Sequence, residues 1–234
     1  MKQIIAMGGG GFSMEPANPL LDQYVLDQTG KHRPCVCFFP HATDDAVRYS
    51  YNFLQAFTKL ECRPSVLSLF QTPPMPDMGG FLLSQDVIYV GGGNTKSMLA
   101  LWREWELDRI LRQCYEQGVV LAGISAGANC WFESFITDSA TPELSAMHNG
   151  LGFLAGSFSP HYDGEVGRRP LYQRLVATGE IAGGIACDDS AVAHFVDGKL
   201  LRVVSSRPKA RGYSLERVDS QCIEGELDTL FLGQ

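Results

Sequence analysis

The first chemistry in this 234-residue chain is a lone hydroxyl among very small residues, in VVLAGISAGANCWFES (119–134). Gly123-Ile124-Ser125-Ala126-Gly127 fits G-x-S-x-G, the pattern of a serine lifted on a strained strand-to-helix turn so that it can act as a nucleophile. The residues two away from such a serine must be small, because its backbone conformation brings neighbouring chain close. Close packing of a strand under a helix asks for the same small residues. The pentapeptide is short enough that roughly one chain in ten of this length would carry it by chance, so its context has to decide. An apolar strand-like run, GVVLAG, precedes it and a helix-compatible AGANCWFESF follows, as the turn requires.

A serine is a weak nucleophile without a base, and the base in turn needs an orienting group. The chain offers five histidines. His32 reads as a solvated turn, His41 follows a strand and is expected to line a cleft, and His148 lies in polar MHNG. His194 sits within the alternating AVAHFV, where a structural role fits better. His161 stands alone in the loop SFSPHYDGE after a short apolar stretch, where a structural and a catalytic role fit equally well. For the orienting acid, Asp188 and Asp189 end the strand-like GGIAC, although Asp is equally at home in a turn. A third feature is GGGNTKS (91–97). Thr95 stands where a phosphate loop needs Gly before Lys-Ser, so a Walker site is excluded. MGGGGFSMEP is a weak dinucleotide fingerprint, since Pro16 and Pro19 break the helix it needs and no acidic residue ends the second strand. Gly-rich turns can instead aim backbone N–H groups at an oxyanion.

The elements that must position these groups alternate. Apolar strand-like runs occur at 2–7, 34–40, 64–70, 86–90 and 118–123, separated by helical patterns at 18–28, 43–60 and 99–118. Beyond lie a loop-rich stretch (137–170), a helix near 170–178, and strand-like runs at 183–187, 190–196 and 199–205. QTPPMPDMGG (71–80) reads as a loop. Such alternation means parallel strands, right-handed crossovers and helices on both faces of one sheet. Ligands then bind at the carboxyl ends of the strands. The Gly-rich turns at 8–11, 91–93 and 123–127 all follow strands, so all three should meet at that edge.

Bulk composition narrows the partners. The net charge of −7 argues against a nucleic-acid or anionic-membrane surface, and no apolar run reaches transmembrane length. The apolar run in MKQIIAMGGGG is shorter than a signal-peptide core. Seven cysteines, odd in number and without CxxC or zinc-ligand spacing, read as reduced thiols in a cytoplasmic protein needing no metal.

YVGGGNT, GISAGANCW and SPHYDGE, in this order and spacing, resemble the peptidase E and cyanophycinase family of serine peptidases, and GIACDDSA is similar to the stretch carrying that family's third catalytic residue. The resemblance runs over roughly residues 2–205. It implies a single catalytic domain over 1–234 with a three-layer flavodoxin-like α/β fold, akin to class I glutamine amidotransferases, with a mostly parallel central sheet and no cofactor. By position it makes Ser125 the nucleophile, His161 the base, and Gly93 and Ala126 the oxyanion-hole donors. The family usually has Glu as third member; aligning DDSA with the family's acidic pair favours Asp189 over Asp188. Family substrates are Asp-X dipeptides, isoaspartyl-type linkages or cyanophycin. An acidic side chain calls for arginine, and Arg168 and Arg169 are the nearest to His161, with a solvated basic turn as the alternative. Glu143, Asp163 or Glu165 would meet a free amine. The expected partner is a small peptide, met by the chain alone or as a homodimer.

Overall fold

A computed structural model describes residues 1–72 and 75–233. From the N-terminus run β1 (Gln3–Met7), α1 (Gly11–Met14), α2 (Leu20–Asp27), β2 (Cys35–Phe39), α3 (Ala46–Phe57) and β3 (Arg63–Val66). Then come α4 (Met78–Leu83), β4 (Val87–Val90), α5 (Thr95–Glu104), α6 (Leu107–Glu116), β5 (Val120–Ile124) and α7 (Ala126–Asn129). The rest comprises β6 (Phe132–Thr137), β7 (Ser145–Met147), β8 (Leu154–Ser159), α8 (Arg168–Thr178), β9 (Gly184–Cys187) and β10 (Ala191–Val196). It ends with β11 (Lys199–Ser205), β12 (Gly212–Val218), β13 (Gln221–Leu227) and β14 (Thr229–Phe231).

The main sheet has eight strands in the order β14-β11-β10-β1-β5-β4-β2-β3. The five from β1 to β3 are parallel, and β10 joins β1 antiparallel. Strands buried on both faces must be apolar almost throughout, and β1 shows why. Ile4 and Ala6 pack towards Leu99, Trp102 and Leu111 of α5 and α6, while Ile5 and Met7 pack towards Val25 of α2 and Phe53 and Phe57 of α3. Side chains alternate across a strand, so one short run feeds both helical layers. This is the expected three-layer flavodoxin-like arrangement.

A second sheet, in the order β13-β12-β9-β8-β6-β7, was not expected. The residues read as a helix after Ser125 form only one turn, α7, before Phe132–Thr137 pairs as a strand with β8. The aromatic and β-branched residues of FESFIT favour a pleated surface, and Phe132 stacks on Phe158 of β8 with ring centroids 4.9 Å apart. The stretch read as loop-rich therefore contains β7 and β8. Helix α8 covers this sheet with Tyr172, Leu175 and Val176 against Ala186 and Leu215. Within 71–80, Met78 starts α4 with Asp77 as its cap; positions 73 and 74 lie outside the described residues. No helix among the described residues is long and apolar enough to cross a membrane.

Candidate active site

Strand β5 lies between β1 and β4 in the main sheet, so the turns leaving Met7, Val90 and Ile124 converge, as their spacing requires. Ser125 follows β5 with φ 54° and ψ −109°, a conformation that costs an L-residue about 1–3 kcal/mol. It is held there from both sides. Its N–H donates to the Met7 carbonyl at 3.1 Å, and its own carbonyl accepts from Ala128 and Asn129 at 2.9 and 2.8 Å. A methyl on Gly123 would fall 2.1 Å from the Gly127 carbonyl oxygen, and one on Gly127 would fall 2.3 Å from that of Val90. Close packing and the strained serine are thus one arrangement: the turn is possible because the chain around it is bare.

The GGGN turn comes alongside. A Cβ on Gly92 would stand 3.4 Å from the Ser125 Cβ. The Gly92 N–H donates to the Tyr49 hydroxyl at 3.1 Å. Gly93 has φ 133°, and a side chain there would run into the Ala42 carbonyl at 2.2 Å. Among the described residues, the N–H groups of Gly93 and Ala126 have no acceptor. Unpaired N–H groups beside a serine are what a developing oxyanion needs.

His161 and Asp189 come from the second sheet. His161 follows β8, its N–H donating to the Gly8 carbonyl at 3.2 Å, while the next N–H, of Tyr162, donates to Cys187 at 3.1 Å. These bonds seat the histidine between the ends of β1 and β9. Asp189 follows β9, and its Oδ1 lies 2.6 Å from His161 Nδ1. The Asp189 N–H is fixed by Asp163 Oδ1 at 2.8 Å. Methyl groups on Gly9 and Gly164 would come within 2.0 and 2.6 Å of the Asp189 carboxylate, so two glycines leave room for it. Ser125 and His161 line the same cleft, of about 470 Å³.

Asp188 faces the other way. Its Oδ2 accepts from the Arg211 N–H at 2.9 Å, and burial pushes its carboxyl up to about 6. Asp189 is therefore the member of the pair that meets the histidine. Two other histidines are spoken for. His41, expected near the cleft, is turned inward: the Trp102 indole N–H donates to Nδ1 at 2.9 Å and Nε2 meets the Leu67 carbonyl at 3.0 Å. His194 is buried between Tyr24 and Gln3, at 2.7 and 3.0 Å. Burial lowers both imidazoles to about 4.

Arg168 and Arg169 do not reach the cleft. Arg168 is buried under α8, where Nη1 donates to the Ile136 carbonyl at 2.9 Å and Nη2 pairs with Glu165 at 2.6 Å. Arg169 pairs with Glu224 and lies over the Tyr162 and Tyr213 rings. Their helix packs on the second sheet and turns its first residues away from Ser125. The carboxylates expected to meet an amine are also elsewhere: Asp163 holds Asp189, Glu165 holds Arg168, and exposed Glu143 is not part of the lining. The wall opposite is built by α3 and its approach, with Thr43, Asp45, Arg48, Tyr49 and Asn52. A signal for this was present, since α3 begins where β2 ends and so starts at the same sheet edge.

Residues 4–203 match the family described as Peptidase family S51. The "Uncharacterized peptidase YgaJ" of Bacillus subtilis (strain 168) is 52% identical over 233 residues, covering 100% of both chains. "Peptidase E" of Actinobacillus pleuropneumoniae serotype 5b (strain L20) is 27% identical over 167 residues, 69% of each chain. A crystal structure of a peptidase from an acI-B1 Actinobacterium superposes with a TM-score of 0.72 at 15% identity, covering 100% of this chain and 96% of that one, a likeness of fold. The family match takes in the Ser125 turn, His161 and Asp189 together: this chain belongs to peptidase family S51 and is a serine peptidase.

Proposed function

We propose that the chain is an exopeptidase that hydrolyses short acidic peptides of the Asp-X type through an acyl-enzyme on Ser125. The observation that carries this reading is the 2.6 Å contact between His161 Nδ1 and Asp189 Oδ1, with the imidazole opening on the cleft that Ser125 lines. A carboxylate at Nδ1 takes the N–H there and leaves Nε2 bare, so the ring can accept a proton.

The turn at Ser125 acts as a nucleophile elbow. Its Oγ attacks the carbonyl carbon of the substrate, and the hydroxyl proton passes to His161 Nε2. The carbonyl oxygen becomes an oxyanion that accepts from the Gly93 and Ala126 N–H groups. Breaking the C–N bond releases the leaving amine, which takes the proton from His161, and Ser125 is left as an ester. Water then attacks the ester carbonyl as His161 accepts its proton, and the C–O bond to Ser125 breaks with that proton passing to Oγ, which frees the acid and restores the serine. The size of the cleft, about 470 Å³, suits a ligand of dipeptide size. The name peptidase E among the relatives supports the same class.

The test is a set of assays on Asp-Leu, N-acetyl-Asp-Leu and casein. Wild type should release leucine from Asp-Leu, and Ser125→Ala and His161→Ala should each abolish it, because members of such a unit fail together. Acetylation should sharply lower kcat/KM by removing the cationic amine. Equal cleavage of the blocked peptide, efficient digestion of casein, or full turnover by His161→Ala would overturn the reading.

A further inference from the structure

The cleft that holds Ser125 has one Lys or Arg in its lining among the described residues, and that residue is Arg48. It lies in the first turn of α3, against the capping residue Asp45. Asp45 Oδ1 accepts the Arg48 backbone N–H at 3.3 Å, capping the helix, and Oδ2 pairs with the side-chain Nε at 2.7 Å. The Nε edge of the guanidinium thus faces Asp45, and its Nη pair makes no hydrogen bond among the described residues. That is the end-on fork that grips a carboxylate through two parallel hydrogen bonds.

Arg168 and Arg169, the other arginines near the site in sequence, already spend their guanidinium groups on Glu165, the Ile136 carbonyl and Glu224. Arg48 has no such structural task. Its side chain is 77% exposed, so the fold does not depend on it, and it remains hydrated until a ligand arrives. Asn52, four residues on, lines the same cleft, so this face of α3 forms a polar wall within reach of the serine.

We propose that Arg48 binds a carboxylate of the substrate and so sets the preference of this peptidase for acidic peptides. The inference rests on the function proposed above and names the residue that reads the substrate. In a dipeptide that carboxylate is either the side chain of the N-terminal residue or the terminal carboxylate of the leaving residue; the chemistry of recognition is the same.

The experiment compares kcat/KM for Asp-Leu, Asn-Leu and Asp-Leu amide in wild type and Arg48→Gln, with melting temperature as a check on folding. Wild type should prefer Asp-Leu to at least one of the two neutralised peptides. Arg48→Gln should cut kcat/KM for Asp-Leu roughly 30-fold, the loss expected for a charge-assisted hydrogen-bonded pair. It should also erase the preference over one neutralised peptide, and which one identifies the carboxylate bound. Ser125-dependent hydrolysis of Asp-Leu with both preferences unchanged in Arg48→Gln would overturn the role of Arg48 and leave the proposed function standing. Failure of wild type to hydrolyse any of the three would overturn both.

Discussion

His161 and Asp189 meet at 2.6 Å although 28 residues separate them and each leaves a different strand of the second sheet. Strands β8 and β9 are parallel neighbours, with Ser159 opposite Ala186, so their carboxyl ends deliver the two side chains to one place. The serine comes from the other sheet. The candidate site is thus a seam, and its geometry depends on how the two sheets are tied at Gly8, Gly9 and Cys187.

Amidating Asp189 should be far more damaging than amidating its neighbour. In Asp189→Asn an amide N–H₂ can face Nδ1 and stabilise the wrong tautomer, a change that costs about 10⁴-fold in kcat in a serine-protease triad. Asp188→Asn should cost much less, since that side chain serves the Arg211 N–H. Steady-state rates on Asp-Leu for the two variants check this. The opposite ranking would make Asp188 the orienting acid.

The room around Asp189 is itself a requirement. A methyl on Gly9 would stand 2.0 Å from the Asp189 Oδ1, so the carboxylate would have to move off the imidazole. Gly9→Ala should lower kcat/KM by about 100-fold, the scale of a 1 Å misplacement. The clash is with the end of a side chain, so far-ultraviolet circular dichroism should be unchanged. Retained activity would mean that the Asp189 contact is dispensable.

A buried carboxyl beneath the first glycine turn should give stability a pH dependence. Burial raises Asp22 from 3.8 to about 7, even though the Tyr89 hydroxyl donates to its Oδ1 at 2.8 Å. The folded state keeps a proton that the unfolded chain releases near pH 4. Its contribution is therefore complete below that pH and is lost as the pH rises through about 7, by up to ~4 kcal/mol. Asp22→Asn keeps an acceptor for Tyr89 and cannot ionise. Urea unfolding between pH 4 and 8 should show wild type losing stability relative to this variant as the pH rises. A difference that stays flat would mean that Asp22 is not held protonated.

Much of the main sheet was legible in the sequence, because a strand covered on both faces has to be apolar and its turns have to be marked. KQIIAM, PCVCFF, DVIYV and VVLAGI carry that signal, and parallel strands joined by crossovers put their carboxyl ends on one edge. The convergence of the turns after Met7, Val90 and Ile124 follows from that rule alone. Ser125 was legible for the same local reason, since the glycines it needs lie within two residues. Of the second sheet only β9 was, in GGIAC. Its other strands are short, LAGSFS lacks a clean period, and the hairpin of β12 and β13 is half exposed and charged, so nothing local separates them from loop.

What tertiary structure alone decided are the choices between neighbours. Asp188 and Asp189 share one turn and one composition, and which of them faces His161 depends on Arg211 and Asp163, which lie 23 and 26 residues away. Arg168 and Arg169 stand close to His161 along the chain, but α8 must bury Tyr172, Leu175 and Val176 against the second sheet. That packing carries both arginines away from the cleft. Arg48 is distant in sequence and arrives because α3 must bury Phe53 and Phe57 against the main sheet, leaving its outer face to the serine. Helix orientation is set by what the apolar face buries, and that partner is fixed only when the whole chain has folded.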